Sequence, residues 1–364
     1  MYKISLVKFL TLLMFSLTFT VNAQHGDNEE NHGSAMRPEG DIKTEIKEYI
    51  EHHLLDSYDF SLYSYETDEG KHEYVGFPLP VILVDNGLKV FSSSKFHHGE
   101  TLAEVDGNYY KVYHNKIYKT DAQGTITYDE AHDPTNVKPL DFSITKNVFF
   151  IICISLFMIF MFVRMGKSYK NGMPTGFGRF MEPIILYIRD DIAIPNIGKK
   201  HYKKYISYLL TVFFFVWIVN LLGLTPVGIN VTNNIAVTFA LAIITYILTT
   251  FTANKNYWKH IFWMPGVPVP MKIILAPIEL LGTFIKPFSL MIRLYANITA
   301  GHIVLMSIIG LMFIFKNWVG SPLSFALATM LGILELLVAA LQAYIFTMLS
   351  ALYFGSAVEE HDDH

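Results

Sequence analysis

Residues 205–254 read YISYLLTVFFFVWIVNLLGLTPVGINVTNNIAVTFALAIITYILTTFTAN, fifty consecutive positions between Lys204 and Lys255 without one Asp, Glu, Lys or Arg. As a single helix this run would be about 75 Å long, more than twice the ~30 Å hydrocarbon thickness of a bilayer. It must therefore turn back on itself. Gly, Pro and Asn gather from Gly223 to Asn234, so the break belongs there and the run predicts a hairpin of two membrane helices. Working outward, the 17 uncharged residues between Lys146 and Arg164 are long enough for one crossing. Two further apolar segments follow the hairpin, at about 271–315 and 321–354. The expected fold is an all-α polytopic membrane protein with five membrane helical segments over 141–358, ending in a short cytoplasmic acidic tail, 359–364.

Composition agrees with this division. The 364-residue chain is 52% hydrophobic and 16% charged, with mean hydropathy +0.33, and most of its apolar residues follow position 147. Such a mixture excludes a disordered or collagen-like chain, and the single Cys153 excludes an internal disulfide. Residues 24–140 carry 22 acidic against 10 basic side chains, whereas 141–358 carry 6 acidic against 16 basic. The overall charge of −4 thus averages an acidic water-facing part and a basic membrane part. No basic stripe interleaved with aromatics lies in a polar context, so nucleic acid is not an expected partner.

Lys3 and Lys8, the apolar run Phe9 to Val21, and Val21-Asn22-Ala23 have the three-part layout of a secretory signal, residues 1–23, cleaved after Ala23. The segment 24–140 would then be an exported α+β extension. It opens on a polar stretch, 24–40, followed by a short amphipathic helix with Ile42, Ile46, Tyr49 and Ile50 at helical spacing. Between 73 and 128 short β-type runs follow, Val81 to Val84, Leu88 to Phe91 and Tyr109 to Tyr113. Asp85-Asn86-Gly87, Asp106-Gly107-Asn108 and Gln123-Gly124 supply the turns. The loop 164–204 holds nine Lys or Arg and three acids, and the 223–234 turn holds no charge. The positive-inside rule therefore puts that loop in the cytoplasm, the N-terminus outside and, after five crossings, the C-terminus inside. The expected location is the cell inner membrane.

The last two segments contain charges where charges are costly. Glu279, Lys286, Arg293, His302 and Glu335 lie within apolar stretches, with Asn297 and Gln342 beside them. An ionisable group at mid-bilayer costs about 2.5–3.5 kcal/mol on insertion scales, so such groups face a bundle interior or an aqueous path. Steps of seven put Glu279, Lys286 and Arg293 on roughly one side of a continuous helix, which Pro287 is able to bend. Nine residues separate Arg293 from His302 and turn it to nearly the opposite side. Each has a second reading at this stage. Lys286 can reach an interface by snorkelling with Glu279 as its neighbour, and Arg293 can be a structural partner of Glu335. His302 and Glu335 can form a buried structural pair, and Asn297 and Gln342 can be ordinary interhelical hydrogen-bonding residues. Neither a phosphate-binding glycine loop nor a histidine spacing suited to one metal is present, so no cofactor and no metal are expected.

The run from Lys286 to His302, KPFSLMIRLYANITAGH, resembles the subunit a family of F-type ATP synthases. Pro277-Ile278-Glu279-Leu280 and Leu341-Gln342-Ala343-Tyr344-Ile345-Phe346 fit as well, and Asn220 to Pro226 and Tyr49 to Leu54 match more weakly. The resemblance covers 140–358 and the helix before the strands. It implies a proton-translocating stator beside a ring of c subunits, with the last two helices strongly tilted along that ring. The peripheral-stalk b subunits, the remaining ATP synthase subunits, the lipid bilayer and protons are the other implied partners. By the same resemblance Arg293 matches the essential arginine, and His302 with Glu335 the polar pair of the outer half-channel. Asn297 and Gln342 match residues lining that channel, Glu279 the acid of the cytoplasmic exit, and Lys286 its neighbour. One departure is that many members carry the acid where His302 stands and the histidine where Glu335 stands. The pair is kept with its members exchanged. The resemblance implies a transport component without ATP chemistry of its own within a proton-translocating enzyme. A self-contained ion-coupled transporter would call for an internal repeat, and a receptor for a cytoplasmic signalling domain; the sequence has neither.

Overall fold

The computed structural model describes residues 56–66, 72–99, 101–129, 134–170, 173–225, 231–264, 267–314 and 320–359. The expected signal 1–23, the polar stretch 24–40, the amphipathic helix before position 56 and the tail beyond 359 lie outside the described residues. From 59 to 141 the chain is built from short antiparallel strands. β1 (Asp59–Glu66) pairs with β2 (His72–Pro78), and β3 (Pro80–Val84) lies between β4 (Leu88–Ser92) and β8 (Leu140–Asp141). A third sheet is the meander β5 (Ala103–Val105), β6 (Asn108–Tyr113) and β7 (Lys116–Thr120). The turns fall where the sequence puts them: Asp106 and Gly107 adopt φ of 52° and 73°, the paired left-handed geometry of a tight hairpin. His114 and Asn115, at 45° and 57°, form a second such turn that no glycine announces. Strand β1 also lies ahead of the expected β region. Tyr58, Val81, Leu83, Phe91, Phe96, Ala103, Tyr110 and Ile117 make one small core.

Strand β4 turns a charged residue toward the core. Lys89 and Phe91 point inward, leaving Leu88 69% and Val90 60% exposed. The Lys89 stem is buried and its Nζ lies 5.3 Å from the Tyr110 ring centroid, where the π face attracts the charge. Tyr110 in turn donates to Asp85 at 2.9 Å, and Lys119 pairs with the same carboxylate at 2.8 Å.

The helices follow. α1 (Lys146–Lys167) leads through a two-residue hairpin, β9 (Tyr169–Lys170) and β10 (Met173–Pro174), to α2 (Phe177–Tyr187). A π-helical turn, Ile188–Ala193, and one last turn, α3 (Ile194–Ile197), complete this segment. α4 (Tyr202–Gly223), a 3-10 turn (Val231–Asn233) and α5 (Ile235–Thr252) form the hairpin of the charge-free run. α6 (Lys255–Phe262), α7 (Val269–Ile314) and α8 (Gly320–Val358) end the chain. Among the described residues five helices, α1, α4, α5, α7 and α8, are long and apolar enough to cross a membrane. At 46 and 39 residues, α7 and α8 would be about 69 and 58 Å long when straight, so neither fits upright in a ~30 Å core and both must tilt steeply.

The basic loop contains more structure than its charge suggests. Met181, Ile188, Ile192, Ala193 and Ile197 are buried in the same core as Leu209, Val216, Phe346 and Phe354. Close approach to α8 is extreme at Gly355, where an added Cβ would lie 2.0 Å from the Asn196 carbonyl oxygen. Nearby, Phe354 stacks on Tyr205 at 4.5 Å. Asn254 donates from its backbone to Ala357 O at 2.8 Å and from its side chain to Val358 O at 3.0 Å. Two carbonyls at the end of α8 that helical bonding leaves free are thereby satisfied.

Candidate functional site

Two helices carry the candidate residues, and packing sorts them onto separate surfaces. Arg293, on α7, is half-buried and lines an open groove of about 590 Å³ with Leu281, Phe284, Ile285, Phe288, Ser289 and Ile292. These residues recur at three- and four-residue steps along one face of the helix, so the guanidinium closes an otherwise apolar and hydroxyl-bearing stripe. Asn297, four residues on, is exposed on the same stripe. Among the described residues no carboxylate lies within ion-pairing distance of Arg293, which removes the reading of it as a structural partner of Glu335.

His302 faces the other way. It is 5% exposed, and opposite it α8 turns Glu335, 8% exposed, and Gln342, 4% exposed, inward with Ala339 between them. Positions 335, 339 and 342 follow the i, i+4, i+7 pattern of one helix face. The Glu335 carboxylate lies against Gly301, the residue next to His302, and a Cβ at Gly301 would meet Glu335 Oε1 at 2.5 Å. The small residue is thus what admits the carboxylate between the helices. Glu335 Oε2 is buried without a hydrogen-bond partner, and no ion pair joins it to His302 among the described residues. A buried, unsatisfied carboxylate oxygen is costly, and sites that keep one commonly use it.

Lys286 and Glu279 occupy a third place. Lys286 lines a small cleft with Thr245, Tyr246, Thr249, Tyr257, Thr283 and Tyr353, and its Nζ stands 5.7 Å from the Tyr353 ring centroid. The space is about 10 Å³, close to what one water needs. Burial first, and then the charges of Tyr246 and Glu279, push the Tyr257 phenol above its ordinary range, which places Glu279 near the same cleft. The heptad spacing of Glu279, Lys286 and Arg293 therefore brings two of them together and not the third. Each seven-residue step falls only about 20° short of two full turns, so rotation does not part them; they lie at different levels of α7, with Thr245, Tyr257 and Tyr353 around Lys286 and the open groove beside Arg293.

The 3-10 turn Val231–Asn233 and its neighbour Asn234, in the charge-free hairpin, join these parts. Thr232 donates to Asn220 Oδ1 at 3.0 Å, and Asn220 reaches the Ala339 carbonyl at 3.5 Å, one turn beyond Glu335. The Thr299 hydroxyl, one turn before His302, donates to Asn233 Oδ1. Thr232, Asn233, Thr299 and the cleft residues Tyr353 and Thr283 escape sequence reasoning because uncharged hydroxyls and amides are common in apolar helices. Only their burial would have separated them from the rest.

A family model described as ATP synthase A chain matches residues 148–355, and a second, described as a domain of unknown function, matches residues 49–142. A Chlorobium phaeobacteroides (strain DSM 266 / SMG 266 / 2430) protein named ATP synthase subunit a is 42% identical over 279 residues, 73% of this chain and 79% of its own length. ATP synthase subunit a 2 of Prosthecochloris aestuarii is 38% identical over 304 residues, 79% of this chain and 92% of its own. A Myxococcus xanthus ATP synthase subunit a is 40% identical over 235 residues, 62% and 77% of the two chains.

Proposed function

The chain belongs to the ATP synthase A chain family, with the role of proton-translocating stator subunit in a multi-pass membrane complex, and from that premise we propose which of its residues carry the protons. The observation that supports the assignment most is the separation of Arg293 from His302 and Glu335. The arginine has no ion-pair partner among the described residues and stands on an open face, and the imidazole and carboxylate are buried on the other side of the same helix.

The open stripe of α7 is the surface that a ring of c subunits covers, and Arg293 is its one fixed charge among the groove residues. A guanidinium keeps its proton under all physiological conditions, so it cannot pass one from one side to the other. A ring carboxylate drawn up to it is stabilised as the anion and releases its proton to the exit side. Glu279 and Lys286, with the hydroxyls of Thr283, Tyr257 and Tyr353, form that exit. Entry is by way of Glu335, His302 and Gln342, with Asn297 near the ring. An imidazole accepts a proton on one nitrogen and gives it up from the other, so the exchanged order of His302 and Glu335 preserves a relay. With the segment before α1 outside and the basic loop in the cytoplasm of an inner-membrane protein, each charge crossing gains about 2.3 kcal/mol per 100 mV. The b-subunit peripheral stalk holds this chain against the turning ring.

The test is Arg293→Ala in the complete complex in sealed vesicles. Proton-driven ATP synthesis is expected to vanish while subunit content stays normal, and synthesis at the unsubstituted rate would refute the barrier role.

A further inference from the structure

We propose that Asp56, in the extension ahead of the membrane helices, is a positioning residue for the outer proton path. It acts through the Thr232–Asn233–Asn234 turn on the two helices that carry His302 and Glu335. The inference rests on the assignment of those two residues to proton entry and goes beyond it, because Asp56 lies in the segment matched by the domain of unknown function and outside residues 148–355.

Asp56 is held from both sides. Its Oδ1 accepts from the Asn147 backbone N–H at 3.1 Å, and its Oδ2 accepts from the Thr145 hydroxyl at 3.0 Å, so it caps the start of α1. The same Oδ2 accepts from Asn234 Nδ2 at 3.3 Å. The other end of the Asn234 amide accepts the Ala236 N–H at 2.9 Å and caps α5, so both ends of that amide are engaged. The backbone is pinned as well: Ser57 O accepts from Lys146 N at 2.9 Å, and Asp56 O from Asn115 Nδ2 at 3.3 Å. From Asn234 the connection is covalent to Asn233 and Thr232, then by hydrogen bond to Thr299 on α7 and through Asn220 to Ala339 on α8. Three consecutive side chains thus bind the extension and α7 directly and α8 by way of Asn220 on α4.

Among the described residues the charged and titratable neighbours of Asp56 are Lys146, buried at the start of α1, and Tyr58, whose hydroxyl donates to Asp141 at 2.5 Å. Burial holds the Asp56 carboxyl above its usual range despite the hydrogen bonds from Asn147 and Thr145 and the attraction of Lys146. A carboxylate kept in such a place at some cost is there for its geometry.

The experiment measures ATP synthesis by the complete complex in sealed vesicles as the pH on the extension side is varied with the opposite side fixed, then the reverse. Asp56→Ala is expected to lower the rate about tenfold, as a small displacement of reacting groups does. The outer-side midpoint should move by about half a unit or more, with the inner-side midpoint unmoved. Asp56→Asn keeps an acceptor for the Asn147 N–H but sets an amide NH2 against Asn234 Nδ2, so it should preserve the cap on α1 and assembly yet move the outer midpoint as Asp56→Ala does. Thr299→Val breaks the same connection at its far end and should move the outer midpoint in the same direction, and the double variant should be less than additive. A loss of rate with the outer midpoint unchanged in Asp56→Ala would overturn the proposal. If that variant fails to assemble, an unchanged midpoint in Thr299→Val does so instead. Failure of Arg293→Ala to abolish synthesis would count against the barrier assignment and leave the Asp56 result standing by itself.

Discussion

Gly301→Ala places a methyl group 2.5 Å from Glu335 Oε1, 3.3 Å from its carboxyl carbon and 3.4 Å from Cγ. Ordinary contact begins near 3.4 Å, so the carboxylate oxygen must retreat by about 0.9 Å, the difference between 3.4 and 2.5. The clashing atoms are the end of a flexible side chain, not backbone, and the helices need not part. Stability should therefore fall by about 1 kcal/mol or less, at the small end of overpacking costs, and the complex should assemble in normal amount. Function should respond far more, because a displacement near 1 Å in a proton-relay group costs up to about a hundredfold in rate. The assay is ATP synthesis under an imposed gradient, normalised to assembled complex. Glu335→Asp in the same chain shortens the acid by one methylene and should restore part of the rate. Wild-type synthesis in Gly301→Ala, with the complex intact, would show that the position of the Glu335 carboxylate does not govern proton entry.

The same substitution at Gly355 should behave in the opposite way. A Cβ there meets the Asn196 carbonyl oxygen at 2.0 Å and its carbon at 3.0 Å, both backbone atoms, so α3 must move off α8. Gly355→Ala is expected to destabilise by about 1–3 kcal/mol or more, read as a fall in complex recovered after detergent extraction, and unchanged recovery would contradict it. In the extension, hydrogen bonds from Lys119 and Tyr110, opposed by partial burial, hold the Asp85 carboxyl below the usual carboxylate range. Such a group contributes stability that is fully present above its unfolded value and is lost as pH falls through the lowered folded value. Limited proteolysis of the 85–120 region in the intact complex should accelerate as pH drops below about 4, and Asp85→Asn should remove most of that acid dependence.

Much of this was legible in the chain because it depends on local pattern. Charge-free length set the number of crossings, and the cluster from Gly223 to Asn234 set the hairpin, which appears as α4 and α5. A nine-residue step along a 3.6-residue helix put Arg293 and His302 on different surfaces, as found. The π turn and short helices of the basic loop were hidden by their charge. Their buried residues, Ile188, Ile192 and Ile197, acquire meaning only against α4 and α8.

The amino-acid order by itself determined which segments lie in the membrane and which residue types are too costly to be there without a use, since both follow from the transfer energy of side chains. Tertiary structure alone decided that Glu335 enters beside Gly301, that Lys286 parts from Arg293, and that Asp56 reaches Asn234 across 178 positions. These depend on how far one helix is rotated and slid against another. That choice is made by the summed packing of many side chains and leaves no periodic trace in any one of them.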